Sequence, residues 1–526
     1  MADQFYDNSI VVGDKYYDES QLVKQQEDYN KKRHQSSSTA IPHVVEEFIL
    51  HLQNKFNEKN VHELHNCHEV GFNKLTEAFY KSTPWPDPET VVGPLVNDPV
   101  FLIFYTELYY RHLYALTAPK VEQHFKSYEN YCKLFNHILS NNDPVDIVLP
   151  VHWAWDIIDE FIYQFNTFTL FRSKTVSRGK NSADINLMKE NPDIWSAYSV
   201  LNVLYSLTSK SDIVDKLKKA KQVENSKPVV AGNIYETLGY FSLIGLLRVH
   251  TLLGDFSLAL KSVDVIELKK TAFFNRVPAA HYTVYYYVGF SYLMLRRYAD
   301  AINSFSHILL FISRTKNINR SPQFNAVSKK SDQMFALLTI CVALTPTRID
   351  ATVNTGLREK YGEQLFKIQK GSSKDALQVI EELFTFAAPK FISPSVPDFA
   401  HPAANGNPFS FHLQLFLTSV ASVVNSPSLK NYLRLYASLD IEKLKKFLEV
   451  DTDEEIWSIL VNYNVQSLQF AWLDGNQVLT NTSDVHTVLD GELVLITEKK
   501  PSRKFGEWFI RSTVKNFQLQ DTLRRV

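Results

Sequence analysis

From Ile41 onward, apolar positions recur three and four residues apart, the spacing that gathers them on one face of an α-helix. Val45, Phe48, Ile49, Leu52 and Phe56 form the first stripe. Pro42 fits the first helical position, where a missing N–H costs nothing. The run STPWPDPET interrupts the pattern, because its prolines cannot continue a helix. DPVFLIFYTELYYRHLYAL resumes it, with Asp98 as N-cap and Pro99 behind it, and HWAWDIIDEFIYQFNTF gives a third helix, apolar and aromatic. Residues 172–192 read as a polar loop, and 209–228 as a lysine-rich helix end or linker.

An internal echo follows. LIGLLRVHTLLGDFSLALKSVDVI superposes on YYYVGFSYLMLRRYADAINSFSHI, matching Phe256 to Tyr298, Ala259 to Ala301, Val263 to Phe305 and Ile266 to Ile308. Gly289 and Ala301 permit close helix approach, large residues fill the groove between helices, and RRYAD is the turn. This is tetratricopeptide-like logic with a longer period than usual, a degenerate array of helical hairpins. Such arrays are solenoids with extended surfaces for other proteins.

The texture changes at 388–408, where Pro389, Pro394, Pro397, Pro402 and Pro408 exclude continuous helix. Two helices follow, then IEKLKKFLEV, and DTDEEIWSILVNY with Thr452 and Glu455 at capping-box spacing. SLQFAWL alternates, with Leu468, Phe470 and Trp472 on one face, and ELVLIT is a second strand. Asp474-Gly475 and Asp490-Gly491 mark turns. Helix, helix, strand, turn, strand is the order of a winged helix. Phe509, Ile510, Val514, Phe517, Leu519 and Leu523 then make an amphipathic C-terminal helix.

Composition sharpens this. Glycine is scarce at 16 of 526 residues while Phe and Tyr number 35 and 26, which favours long packed helices. The net charge of −1 removes any global pull toward nucleic acid or membrane. Cys67, Cys132 and Cys341 are scattered and suit reduced thiols. Residues 1–40, acidic and then low-complexity, are expected to be a disordered tail. No basic leader precedes an apolar core at the N-terminus, and no apolar run is long enough to span a bilayer.

Candidate chemistry is thin. GFSYL lacks the second glycine of a nucleophile elbow and lies inside a helix, so Ser291 reads as a helix-interior serine. His62, His65 and His68 fan over a helix with no second segment to close a metal site. Asp156, Asp159 and Glu160 form an acidic face without a visible cleft. P-loop, dinucleotide and zinc-protease motifs are missing. The final 29 residues, however, carry eight basic side chains against three acidic ones. Lys499, Lys500, Arg503, Lys504, Arg511 and Lys515 are candidate phosphate contacts to RNA or ribosome, while the apolar spacing favours packing among partner helices.

Helical repeats closed by a winged helix and a terminal helix resemble the plan of PCI-domain scaffold subunits, found in the proteasome lid, the COP9 signalosome and eukaryotic translation initiation factor 3. NDPVFLIFYTELYYRHLYA, WAWDIIDEFIYQF, LGYFSLIGLLRVHTLLGD, YYYVGFSYLMLRRYADAI, LREKYGEQLFKIQKG and PKFISPSVP are similar, in order, to the initiation factor 3 branch. The first 40 residues and the loops near 172–192 and 209–233 carry none of this resemblance. It implies a mainly α fold, a TPR-like helical-repeat solenoid followed by a winged-helix PCI module and a C-terminal helix. The implied divisions are 41–300 for the repeats, 301–500 for the PCI domain with its winged helix at about 426–500, and 501–526 for a bundle helix.

The implied function is a non-catalytic, cytoplasmic scaffold without cofactor. It would join other PCI and MPN subunits in a hetero-oligomer, away from membranes. That complex binds the small ribosomal subunit, supports mRNA and initiator-tRNA recruitment, and is the route to any mRNA or rRNA. Trp508, Phe509, Val514, Phe517 and Leu523 are the expected bundle contacts. The alternatives are a scaffold of the lid or signalosome, and an RNA-binding module using the basic C-terminus.

Overall fold

The computed structural model describes residues 10–12, 15–17 and 41–525, apart from 141–144, 180–181, 223–232, 267–271, 316–323, 371–372, 400, 402–404, 422–425, 449–451, 474–475, 482, 484 and 499–504. Near the N-terminus β1 (Ile10–Val12) pairs antiparallel with β2 (Lys15–Tyr17), inside the tail expected to be disordered. The array opens with α1 (His43–Asn57), α2 (Val61–Asn66) and α3 (Phe72–Phe79). All five residues of the first predicted stripe are buried, and Pro42 stands at the N-cap, one position earlier than expected. A π-helical turn, Cys67–Gly71, joins α2 to α3, and another, Pro88–Val92, leads into α4 (Gly93–Val96).

Next come α5 (Pro99–Leu116), α6 (Val121–Leu139) and α7 (Val151–Arg178). Asp98 caps α5 as expected, accepting from the N–H groups of Val100 at 3.0 Å and Phe101 at 3.1 Å. The polar loop expected at 172–192 is mostly helix: α7 runs to Arg178, and α8 (Ser182–Glu190) follows. Arg172, Val176 and Met188 explain this, since all three are buried and Arg172 lays its guanidinium over Phe168. Helix α9 (Ala197–Lys210) ends in a left-handed turn at Asp212, and α10 (Ile213–Gln222) occupies the first half of the expected lysine-rich linker.

The echo is a structural repeat. Helices α11 (Ile234–Leu253) and α12 (Phe256–Val263) recur as α13 (Pro278–Met294) and α14 (Tyr298–Thr315), with α12 and α14 starting at the matched residues Phe256 and Tyr298. At Gly289 a Cβ would stand 2.6 Å from Phe305 Cε1, so glycine is what lets α13 and α14 approach. Arg296 makes the turn between them with φ +61°. Helices α15 (Phe324–Leu344), α16 (Ala351–Lys370), α17 (Ser373–Ala387) and α18 (Pro408–Ala421) complete the array, with the described residues of the proline-rich segment between the last two non-helical. One continuous apolar core runs from Val44 to Val420. It is fastened across the break: Ile392 N–H donates to Leu252 O at 3.0 Å, and the His412 ring lies on Gly254 (φ +87°), where a Cβ would come within 2.3 Å of it.

A second core lies beyond residue 425. It is built by α19 (Ser426–Leu433), β3 (Ser438–Asp440), α20 (Ile441–Leu448), α21 (Asp453–Ser467), β6 (Val485–Asp490) and β7 (Leu493–Glu498), around Leu439, Leu444, Ile456, Leu460, Val485 and Val494. The sheet order β3-β7-β6, wholly antiparallel, is that of a winged helix, with Gly491 (φ +62°) in the wing turn. The strand pairing differs from the sequence reading. β4 (Leu468–Leu473) pairs with β5 (Asn476–Asn481) in a separate hairpin, and the partners of β7 are β6 and β3. Thr452 is the N-cap of α21, but its side chain makes no capping hydrogen bond. Helix α22 (Phe505–Arg525) closes the chain.

Candidate functional site

The candidate bundle residues lie on α22, and all are exposed: Trp508 63%, Phe509 59%, Val514 49%, Phe517 66% and Leu523 75%. Ile510 and Leu519 are exposed beside them. At about 100° per residue, Trp508, Phe509, Leu519 and Leu523 fall in one sector, and Ile510, Val514 and Phe517 in another on nearly the opposite side. A single flat surface cannot cover both sectors, whereas two flanking helices can. Arg511 and Lys515 occupy the polar strip left over, with Gln518 and Thr522. The structure therefore separates the two candidate sets on this helix by face. Lys499, Lys500, Arg503 and Lys504 lie outside the described residues.

The winged helix adds an apolar row. Trp457, Val461 and Val465 are exposed at four-residue steps along α21, whose first turn holds Asp453, Glu454 and Glu455. Acids and aliphatics on this helix suit a protein surface and repel a phosphate backbone.

The three histidines do not converge. His62 lies 3.5 Å from Asn66 Nδ2 and is exposed, and His65 lies against His152 with the rings tilted and their centroids 4.8 Å apart. The π-helical turn carries His68 inward, where it stacks on Trp153 at 5.2 Å. It meets the acidic face of α7 there. Arg111 Nη1 stands 2.8 Å from His68 Nε2 and 3.0 Å from Asp156 Oδ2, while Arg111 Nη2 donates to Glu107 Oε1 at 2.6 Å. Trp153 Nε1 donates to Glu107 Oε2 at 3.3 Å. His68, Glu69 and Asp156 lie close enough to share an ion, but the guanidinium of Arg111 already supplies the cation between His68 and Asp156. Burial pushes Asp156 up to about 6, with the Arg111 charge opposing it, and pushes Glu160 up to about 8. Asp159 pairs instead with Arg248 of α11. These charges tie α5, α7 and α11 together.

Ser291 is fully buried, with Thr251 Oγ1 3.2 Å from its hydroxyl. No base within reach activates it among the described residues, so the near-elbow is a packing contact.

A family model described as RNA polymerase I-associated factor PAF67 matches residues 123–516. The eukaryotic translation initiation factor 3 subunit L of Yarrowia lipolytica is 46% identical over 99% of this chain and 96% of its own length. Those of Neurospora crassa and Botryotinia fuckeliana are each 50% identical over 76% of the chain and cover 85% and 86% of their own lengths. The chain belongs to the subunit L family of eukaryotic translation initiation factor 3. In this subunit L chain no described helix is long and apolar enough to cross a membrane.

Sequence reading missed Glu107 and Arg111, the centre of the subunit L charge network. Their i, i+4 spacing inside the apolar run of α5 is the one signal that points to them.

Proposed function

We propose that this chain acts as a non-enzymatic scaffold subunit within initiation factor 3, held in the complex by α22 and by the exposed row on α21. The observation that carries the reading is the exposure of large apolar side chains on two sides of α22. An exposed apolar stripe of that size is costly in water and is suited to burial between partner helices. Other PCI and MPN subunits are the expected partners. Contact with the small ribosomal subunit, and with mRNA or rRNA, would then come through the complex in the cytoplasm. Residues 41–300 serve as the repeat domain, 301–500 as the PCI domain and 501–526 as the bundle helix. The two separate apolar cores support treating the winged helix as its own packing unit.

The test is affinity purification of a chain lacking residues 501–526. The truncated chain should stay folded, giving up only the helical signal of α22, and lose its partner subunits. Full recovery of every partner would refute the bundle assignment.

A further inference from the structure

The second half of α7 and residues within 390–397 and 405–409 line a cavity of about 590 Å³ that the scaffold reading does not use. Among the described residues three cations line it, Lys174, Arg178 and Lys390, and no carboxylate does. Among the described residues none of the three has a carboxylate within ion-pair distance. Asp398, next to the rim, holds its carboxylate 3.2 Å from His401 Nδ1 and is not part of the lining. Ser173, Ser393 and Ser395 add hydroxyls, with the last two 3.1 Å apart, while Ser177 Oγ donates to Ser173 O at 2.8 Å. Asn407 adds its amide N–H groups, its Oδ1 accepting from Phe409 N–H, and Asn405 braces the rim by bonding both polar groups of the Asp398 backbone. The floor is apolar, formed by buried Phe391 and Ile392, with half-buried Phe409 at the side. Among its described lining residues the cavity has three positive charges, no negative charge and the hydroxyls of Ser173, Ser393 and Ser395, a set that suits a compact dianion.

We propose that this cavity binds a phosphomonoester carried on a peptide. A phosphorylated serine or threonine brings nearly two negative charges and three acceptor oxygens, which the Arg178 fork and the two lysines can share. The serine hydroxyls and the Asn407 amide suit peptide polar groups, and the Phe391–Phe409 floor suits a neighbouring apolar side chain. The volume holds about one or two residues. Single-stranded nucleic acid asks for a different layout, a groove of cations tracking the backbone past exposed stacking rings.

The test uses the full chain and site-resolved lysine reactivity. Reductive methylation of each lysine, read by mass spectrometry, is measured with O-phosphoserine at about 1 mM and above, the weak range expected of a minimal ligand. O-phosphoserine should slow modification of Lys174 and Lys390 while leaving exposed Lys218 unchanged, and serine should do nothing. Arg178→Gln, at an exposed helix end where it does not threaten folding, should weaken the protection about tenfold. Equal protection by serine, or undiminished protection in Arg178→Gln, overturns the proposal. Two ligand arms separate the sources. Inorganic phosphate protecting as well as O-phosphoserine assigns the cavity to the free ion and overturns the peptide reading. Oligouridine protecting at lower concentration than O-phosphoserine assigns it to RNA and overturns it as well.

Discussion

Arg111→Met tests the idea that one guanidinium holds α5, α7 and the π-helical turn at Cys67–Gly71 together. The substitution keeps most of the side-chain volume and removes the charge. Glu107, whose side chain is fully buried, then loses its bonds of 2.6 Å and 3.2 Å from Arg111 and keeps only the 3.3 Å bond from Trp153. Asp156 and His68 lose the same partner. Stranding a buried carboxylate in this way costs about 3–5 kcal/mol. Four tryptophans, Trp85, Trp153, Trp155 and Trp195, are buried in the large core, so urea unfolding followed by tryptophan fluorescence reports on it. Hydrogen exchange of α5 and α7 peptides locates the loss. The double variant Glu107→Gln, Arg111→Met removes both charges and should recover much of the stability, because no buried charge is left alone. A single-variant loss under about 1 kcal/mol, or a double variant worse than the single, would show that the network is not a structural tie.

Other consequences are as direct. Glu160 has its carboxyl pushed from 4.5 to about 8 in the folded chain, so the folded state holds a proton that the unfolded chain releases. Stability from this group is full below about pH 4.5 and is lost as pH rises toward about 8. Glu160→Gln should match the parent near pH 5 and exceed it by about 1–2 kcal/mol at pH 8, with partial exposure keeping the figure modest; equal stability at both values refutes this. Gly289→Val drives a branched side chain into Phe305 and should cost about 1–3 kcal/mol, seen as faster exchange in α13 and α14. Burial raises the Cys341 thiol far above its ordinary value and Cys67 to about 11, so iodoacetamide at neutral pH should spare both until denaturant is added, with half-buried Cys132 modified first.

Much of the helical array was legible because its signals are local. The stripe from Val45 to Phe56, the Asp98 cap and the 42-residue echo are short-range patterns, and the structure follows each of them. The misreadings have a common cause. Residues 172–192 look polar, but burial of Arg172 and Met188 decides their conformation, and burial is set by distant segments. The β5 strand, NQVLTN, is polar enough to pass as a loop and is a strand because β4 lies beside it. At the candidate sites, the apolar faces of α22 could be read from periodicity. The meeting of His68, Arg111 and Asp156 depends on the π-helical turn at Cys67–Gly71 and on the two helices α5 and α7, and no single stretch encodes it.

The clasp of His412 over Gly254 also has a bearing on how the chain is made. The ring that covers the α11–α12 turn emerges from the ribosome 158 residues after the glycine it covers. At about 5–20 residues per second, the middle of the array waits roughly 8–30 s for its last side chain. During that interval the apolar surfaces destined for α18 and the segment before it stand open in the nascent chain. The subunit is therefore most prone to misassociation partway through its own synthesis, and a chaperone or partner acting then would meet a surface that the finished protein never shows.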